Sequence, residues 1–309
     1  MPLAIVEKFI DREKWTGNLK SRVPRPNNHE VLLQSSIRPV SVVAGLFPVF
    51  GLMFVVVYGY VFQAERLSTY LRATKCPNIT SRLPPISYPM GIWQPQKFIW
   101  LLFIIMHVPP RVFYGITYTR FFLRSDSKFT NTWWYRFFIF AYPWVTLLEM
   151  ISLIMVTVID QESCFQVHAS SCAAFVIMFC SNVFVHAVLH WASGFKNKSR
   201  LANALAYFKA GCFVSSFTLA MIMLVTYPYY KRTCSEEAYL TFAIAEYMFV
   251  IHNAAFHFTS YFDFPKVKIG LFVDFTEFNE DNSTEKKGAR RESLEKNIAP
   301  YGYEKQPGN

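Results

Sequence analysis

The chain has 309 residues, of which 52% are hydrophobic, 18% aromatic and only 17% charged, with a mean hydropathy of +0.20. That balance excludes an ordinary soluble domain, in which charged residues make up about a quarter of the total. The net charge of +10 does not point to a nucleic-acid partner, because the basic residues lie between and beside apolar runs, where membrane topology and anionic headgroups account for them.

Residues 1–39 are polar, with "VPRPNNHE" read as a loop, and they contain no apolar core of a secretory signal, so the first span is expected to act as the signal anchor. Apolar runs of membrane-crossing length, roughly 20 residues, follow at 41–63, 97–119, 135–159, 169–191, 204–228 and 238–262. They predict an all-α polytopic bundle of about six transmembrane helices over residues 40–265. The N-terminal arm (1–39) precedes it. A charged tail (266–309), too poor in apolar residues to fold, follows.

Six crossings put both termini on one face of the membrane. The arm, the 120–136 loop, the Lys196/Lys198/Arg200 turn and the tail are all basic, which assigns that face to the cytosol. The first loop of the opposite face also carries Arg66, Arg72, Lys75 and Arg82, so the bias is incomplete. On this reading the sequon at Asn78 faces a compartment where it can be glycosylated. Cys76, Cys164 and Cys234, one in each loop of that face, lie where disulfides persist. Three cysteines allow three pairings, of which Cys76–Cys234 is favoured.

The last span is the least clean. "EYMFVIHNAAFHFTSYFDF" carries Glu246, His252, Asn253, His257 and Asp263. At 100° per residue, Glu246, Asn253, His257 and Ser260 fall on one narrow stripe, with His252 and Asp263 on a flank. An ionised group facing lipid costs at least ~2.5 kcal/mol, so the stripe must face the bundle interior or a wet cavity. Partners are available in span two (His107 and Arg111, around Pro109-Pro110), span three (Glu149) and span four (Asn182, His186, His190). Arg111 and Glu149 are the expected buried ion pair. The prolines should free backbone carbonyls and kink span two. His186-x₃-His190 has the spacing of two helix-borne metal ligands but lacks a placed third, so no metal is expected. Each polar residue taken singly also fits simple interhelical hydrogen bonding. The usual signatures of soluble enzymes are absent from the sequence, and no inverted repeat supports a transporter.

These blocks resemble the post-GPI-attachment-to-proteins factor 2 family of the FRAG/DRAM/SFK group. The likeness rests on Glu246-Tyr247, Asn253, Ala255-Phe256-His257, Tyr261-Phe262 and Asp263-Phe264. It extends to His107, Pro110 and Arg111, to Glu149, and to Cys76 and Cys234, and it covers about residues 40–265. The longer arm, the different tail and Cys164 depart from it. The resemblance implies a Golgi membrane protein, with the endoplasmic reticulum as alternative, required for re-acylating lyso-GPI at sn-2 with a saturated, typically stearoyl, chain. As an O-acyltransferase it would use acyl-CoA as donor and no bound cofactor. His257 would be the base, oriented by Asn253 or Asp263, with His252 in reserve. Arg111, with His107, would hold phosphate or oxyanion charge; Glu246, Asn182 and His186 would support the site. The alternative is a non-catalytic lipid-binding scaffold that assists a separate acyltransferase.

Overall fold

The computed structural model describes residues 29–67, 76, 79 and 83–274. Asn78 lies outside the described residues. Strands β1 (His29–Ser36) and β2 (Lys268–Asp274) pair in a two-stranded sheet, an element the sequence reading placed in a loop and in the charged tail. The helical unit spans Ser36–Val267. Its long helices are α1 (Ile37–Phe62), α3 (Gln96–Leu123), α4 (Trp133–Val158), α5 (Phe165–Ala192), α6 (Arg200–Thr233) and α7 (Glu236–Phe258), with short helices α2 (Ser87–Gly91) and α8 (Ser260–Asp263).

Helix boundaries follow local chemistry. Ser36 starts α1 by accepting from the Arg38 amide at 3.3 Å. Ser199 starts α6 through Ala202 at 3.0 Å, and Ser235 starts α7 through Ala238 at 3.4 Å. Glu236 and Glu237 in the first turn of α7, and Lys231 and Arg232 in the last turn of α6, complement the helix dipoles. Between those two helices Cys234 adopts a left-handed φ of 51° and is disulfide-bonded to Cys76, 158 residues away. The favoured pairing is therefore the one formed. Helix α3 runs unbroken through Pro109 and Pro110.

Sequential long helices pack side by side, and α7 packs back on α1, closing a ring. That closure is tight at Gly45, where an added Cβ would meet the Cβ of Phe258 at 2.6 Å. Among the described residues, five helices (α1, α3, α4, α5 and α6) are long and apolar enough to cross a membrane. Helix α7 is 23 residues long, about 35 Å, but its polar stripe lowers its hydropathy. The outer surface of the ring is apolar, with Phe137, Trp144, Val214 and Leu224 each more than half exposed. The ionisable groups lie inside. This inversion is the pattern of a bundle in lipid.

Candidate functional site

Glu149 on α4 is fully buried and forms the centre of the polar interior. Its Oε1 faces Arg111 Nη2 of α3 in an ion pair. Asn253 of α7 donates to the same oxygen at 3.0 Å, and Asn182 of α5 donates to Oε2 at 2.5 Å. His257 Nε2 stands 3.5 Å from Oε1. Arg111 Nη1 donates to His107 Nε2 at 3.3 Å, while Arg111 Nε has no hydrogen-bond partner among the described residues. The ring edge of His107 also meets His257, with centroids 5.9 Å apart. Arg111, Glu149, Asn253 and His257 thus come together, and Asn182 joins them.

Two expectations need correction. Asp263 does not orient His257; the carboxylate beside that imidazole is Glu149. Asp263 Oδ2 instead pairs with Lys209 of α6 and accepts from the Tyr118 hydroxyl of α3. His252 is not in the cluster either. It is half-exposed, and its Nδ1 is turned back to the Met248 carbonyl of its own helix at 2.7 Å.

Lys209 was missed by the sequence reading. It is fully buried ten residues into α6, and its Nζ also donates to His186 Nε2 at 3.1 Å. His186 therefore carries its hydrogen on Nδ1 and offers it to Tyr142 Oη at 3.2 Å. Its lone signal was Asp263, an acidic residue with no cation then assigned to it. His186 is committed to Tyr142 and Lys209, not to His190, and no group of three or more metal-ligating residues occurs among the described residues.

Among the described residues the interior thus holds two ion pairs of arginine or lysine with a carboxylate, Arg111–Glu149 and Lys209–Asp263. Between them lies a space of about 10 Å³ lined by Arg111, Tyr118, Tyr142, Asn182, His186 and His257 among others. That is room for about one water, so this space does not itself admit a lipid headgroup.

Glu246 lies on the predicted stripe but about 10 Å up α7 from Asn253, towards the disulfide. Its Oε2 accepts from the Ile86 amide at the start of α2 at 2.9 Å. It lines an inner cavity of about 80 Å³ and a larger one of about 650 Å³ between α5 and α6. At the same end of the bundle Lys97 of α3 pairs with Asp160 at 2.7 Å, and Asp160 accepts from the Ser163 amide at 2.6 Å. Burial alone would raise the Asp160 carboxyl; Lys97 and Ser163 outweigh it and hold it at about 2.

Residues 36–267 match the family described as Frag1/DRAM/Sfk1/Cwh43P N-terminal domain. Among curated relatives, "Acyltransferase PGAP2" of Xenopus tropicalis is 26% identical over 225 residues, 70% of this chain and 83% of that one. "Post-GPI attachment to proteins factor 2" of Caenorhabditis elegans is 28% identical over 209 residues, 66% and 77% of the two chains. The protein of that name from Drosophila pseudoobscura pseudoobscura is 26% identical over 262 residues, 79% and 91%. No solved structure matches. With the family match covering the whole helical unit, this chain belongs to the Frag1/DRAM/Sfk1/Cwh43P N-terminal domain family.

Proposed function

We propose that this chain acts in remodelling the lipid of GPI anchors, as an acyltransferase that places a saturated, typically stearoyl, chain on the sn-2 hydroxyl of a lyso-GPI. The observation that carries the reading is His257 beside the buried carboxylate of Glu149, with Arg111 on the same carboxylate. The printed names of the relatives supply the GPI anchor and the acyl transfer.

A glycerol hydroxyl needs a base to become a nucleophile at neutral pH. His257 takes that proton, and the oxygen attacks the thioester carbonyl of an acyl-CoA. Glu149 stabilises the imidazolium, and Asn253 and Asn182 fix the carboxylate. The unpartnered Nε–H of Arg111 meets the developing oxyanion. Collapse of the tetrahedral intermediate breaks the C–S bond, and the departing thiolate takes the proton from His257. His257 is one residue short of the end of α7. With both termini in the cytosol of a Golgi membrane protein, that is the face where acyl-CoA is present.

The test is purified protein in nanodiscs with lyso-GPI and stearoyl-CoA. Turnover that falls by about 10²–10⁴ in His257→Ala is the expected result; full turnover in that variant removes His257 as base. A second reading, a lipid-binding scaffold without chemistry, is favoured by the larger cavity of about 650 Å³ lying away from His257, where the space is only about 10 Å³. Binding of lyso-GPI without turnover would establish it.

A further inference from the structure

The cavity of about 650 Å³ between α5 and α6 is separate from the buried charged core. Its size is that of a small-molecule site, which runs about 300–1,000 Å³. From His168 to Phe184 it follows α5 for about 24 Å, longer than one leaflet of a ~30 Å hydrocarbon core. Ile177, Phe217 and Leu224 on its rim are each more than half exposed on the outer face of the ring, so it opens sideways to lipid. Val176, Phe213 and Met223 supply apolar wall.

One end differs. There the lining includes Glu246, which is 8% exposed. One of its oxygens accepts from Ile86, and no described cation pairs with it. No described lining residue is a lysine or arginine. Ionising a carboxyl here is costly without a counter-charge, which an ammonium ligand would supply. Ser87 and Gln161, whose Nε2 has no hydrogen-bond partner among the described residues, add neutral donors to the lining, but no described lysine or arginine supplies the positive charge that a phosphate would need. We propose that this cavity binds a single-chain amphiphile headed by a primary ammonium, its hydrocarbon between α5 and α6 and its ammonium on Glu246. The inference requires only that the helices sit in a bilayer, and it stands whether or not the acyl-transfer reading holds.

The test uses the full chain in nanodiscs, a diazirine-bearing sixteen-carbon primary amine, and mass spectrometry of the labelled peptides. Labelling is expected on the facing segments 176–184 and 213–224. Hexadecylamine is expected to compete at least roughly tenfold better than hexadecan-1-ol or hexadecanoate, the size of a charge-assisted hydrogen bond. Glu246→Gln should bring amine and alcohol level while sparing the label's location. Ala220→Trp, which fills the cavity from α6, should abolish the labelling, and Ala173→Phe does the same from α5 should the first variant not fold. Labels spread evenly over the outer surface, equal competition by amine and alcohol in the unaltered protein, or an amine preference that survives Glu246→Gln would each overturn the proposal. Should neither wall variant fold, the competition ratio in the unaltered protein decides alone.

Discussion

Helix α7 carries acidic and histidine chemistry at two depths, and the two regions treat it differently. Around Asn253 and His257 every charge has a counter-charge. Glu149 meets Arg111, and Asp263, just beyond α7, meets Lys209. Two turns away, Glu246 has a backbone amide and two cavities but no cation among the described residues. The first region is filled, the second is open. The bundle thus closes on charge where the partners come from its own helices, and the open end at Glu246 is where the proposed ammonium would sit.

The strongest way to break this contrast is at Glu149. Glu149→Ala leaves Arg111 buried with no carboxylate, and it should cost about 3–5 kcal/mol, the usual penalty for a stranded buried charge. Thermal unfolding in detergent, followed by fluorescence size exclusion, reads it; an unshifted midpoint would mean that the pair closes nothing. The Lys209–Asp263 pair sharpens the point. Lys209→Met alone should be nearly as damaging. Combined with Asp263→Leu it should recover most of the loss, because two matched apolar residues replace a buried pair at little cost. A double variant as unstable as the sum of its parts would argue against direct pairing. At Glu246 the opposite is expected. Glu246→Gln keeps an oxygen for the Ile86 amide and breaks no ion pair among the described residues, so stability should stay within about 1 kcal/mol of the parent or rise. A collapse there would mean that the region is closed after all.

A further effect is one of pH at the same end. The Asp160 carboxyl is held at about 2 in the folded chain, below the ordinary ~3.9. A depressed carboxylate contributes stability that is complete above the unfolded value and is lost as pH falls through the folded one. Acid titration should therefore show a loss between about pH 4 and pH 2. In Asp160→Asn that component should be missing, with the behaviour above pH 5 otherwise parallel. An identical acid limb in both proteins would exclude it.

Much of this architecture was legible because hydrocarbon penalises exceptions. An arginine and a glutamate in separate apolar runs had to meet, and Arg111 and Glu149 do. The helical wheel fixed which side of α7 faces inward, and Glu246, Asn253 and Ser260 are all buried. A wheel does not fix how neighbouring helices rotate about that side, so the carboxylate assigned to His257 was the wrong one. Lys209 follows a basic turn and reads as a side chain that snorkels to the interface; only the position of Asp263 shows that it turns inward. The strands were hidden because "HEVLLQSS" has no two-residue alternation and "KIGLFVD" is an apolar patch at the head of a charged tail.

The ring has a consequence for how the chain is made. Arg111 and Glu149 leave the ribosome on consecutive helices and neutralise each other as a hairpin. Lys209 emerges 54 residues ahead of Asp263, so its ammonium waits, unmatched, through the insertion of α6 and α7. A nonsense or frameshift lesion between them yields a polypeptide that keeps α1 to α5 but has lost the carboxylate partner of Lys209. Such a product is expected to be degraded rather than to work as a shortened version of the protein.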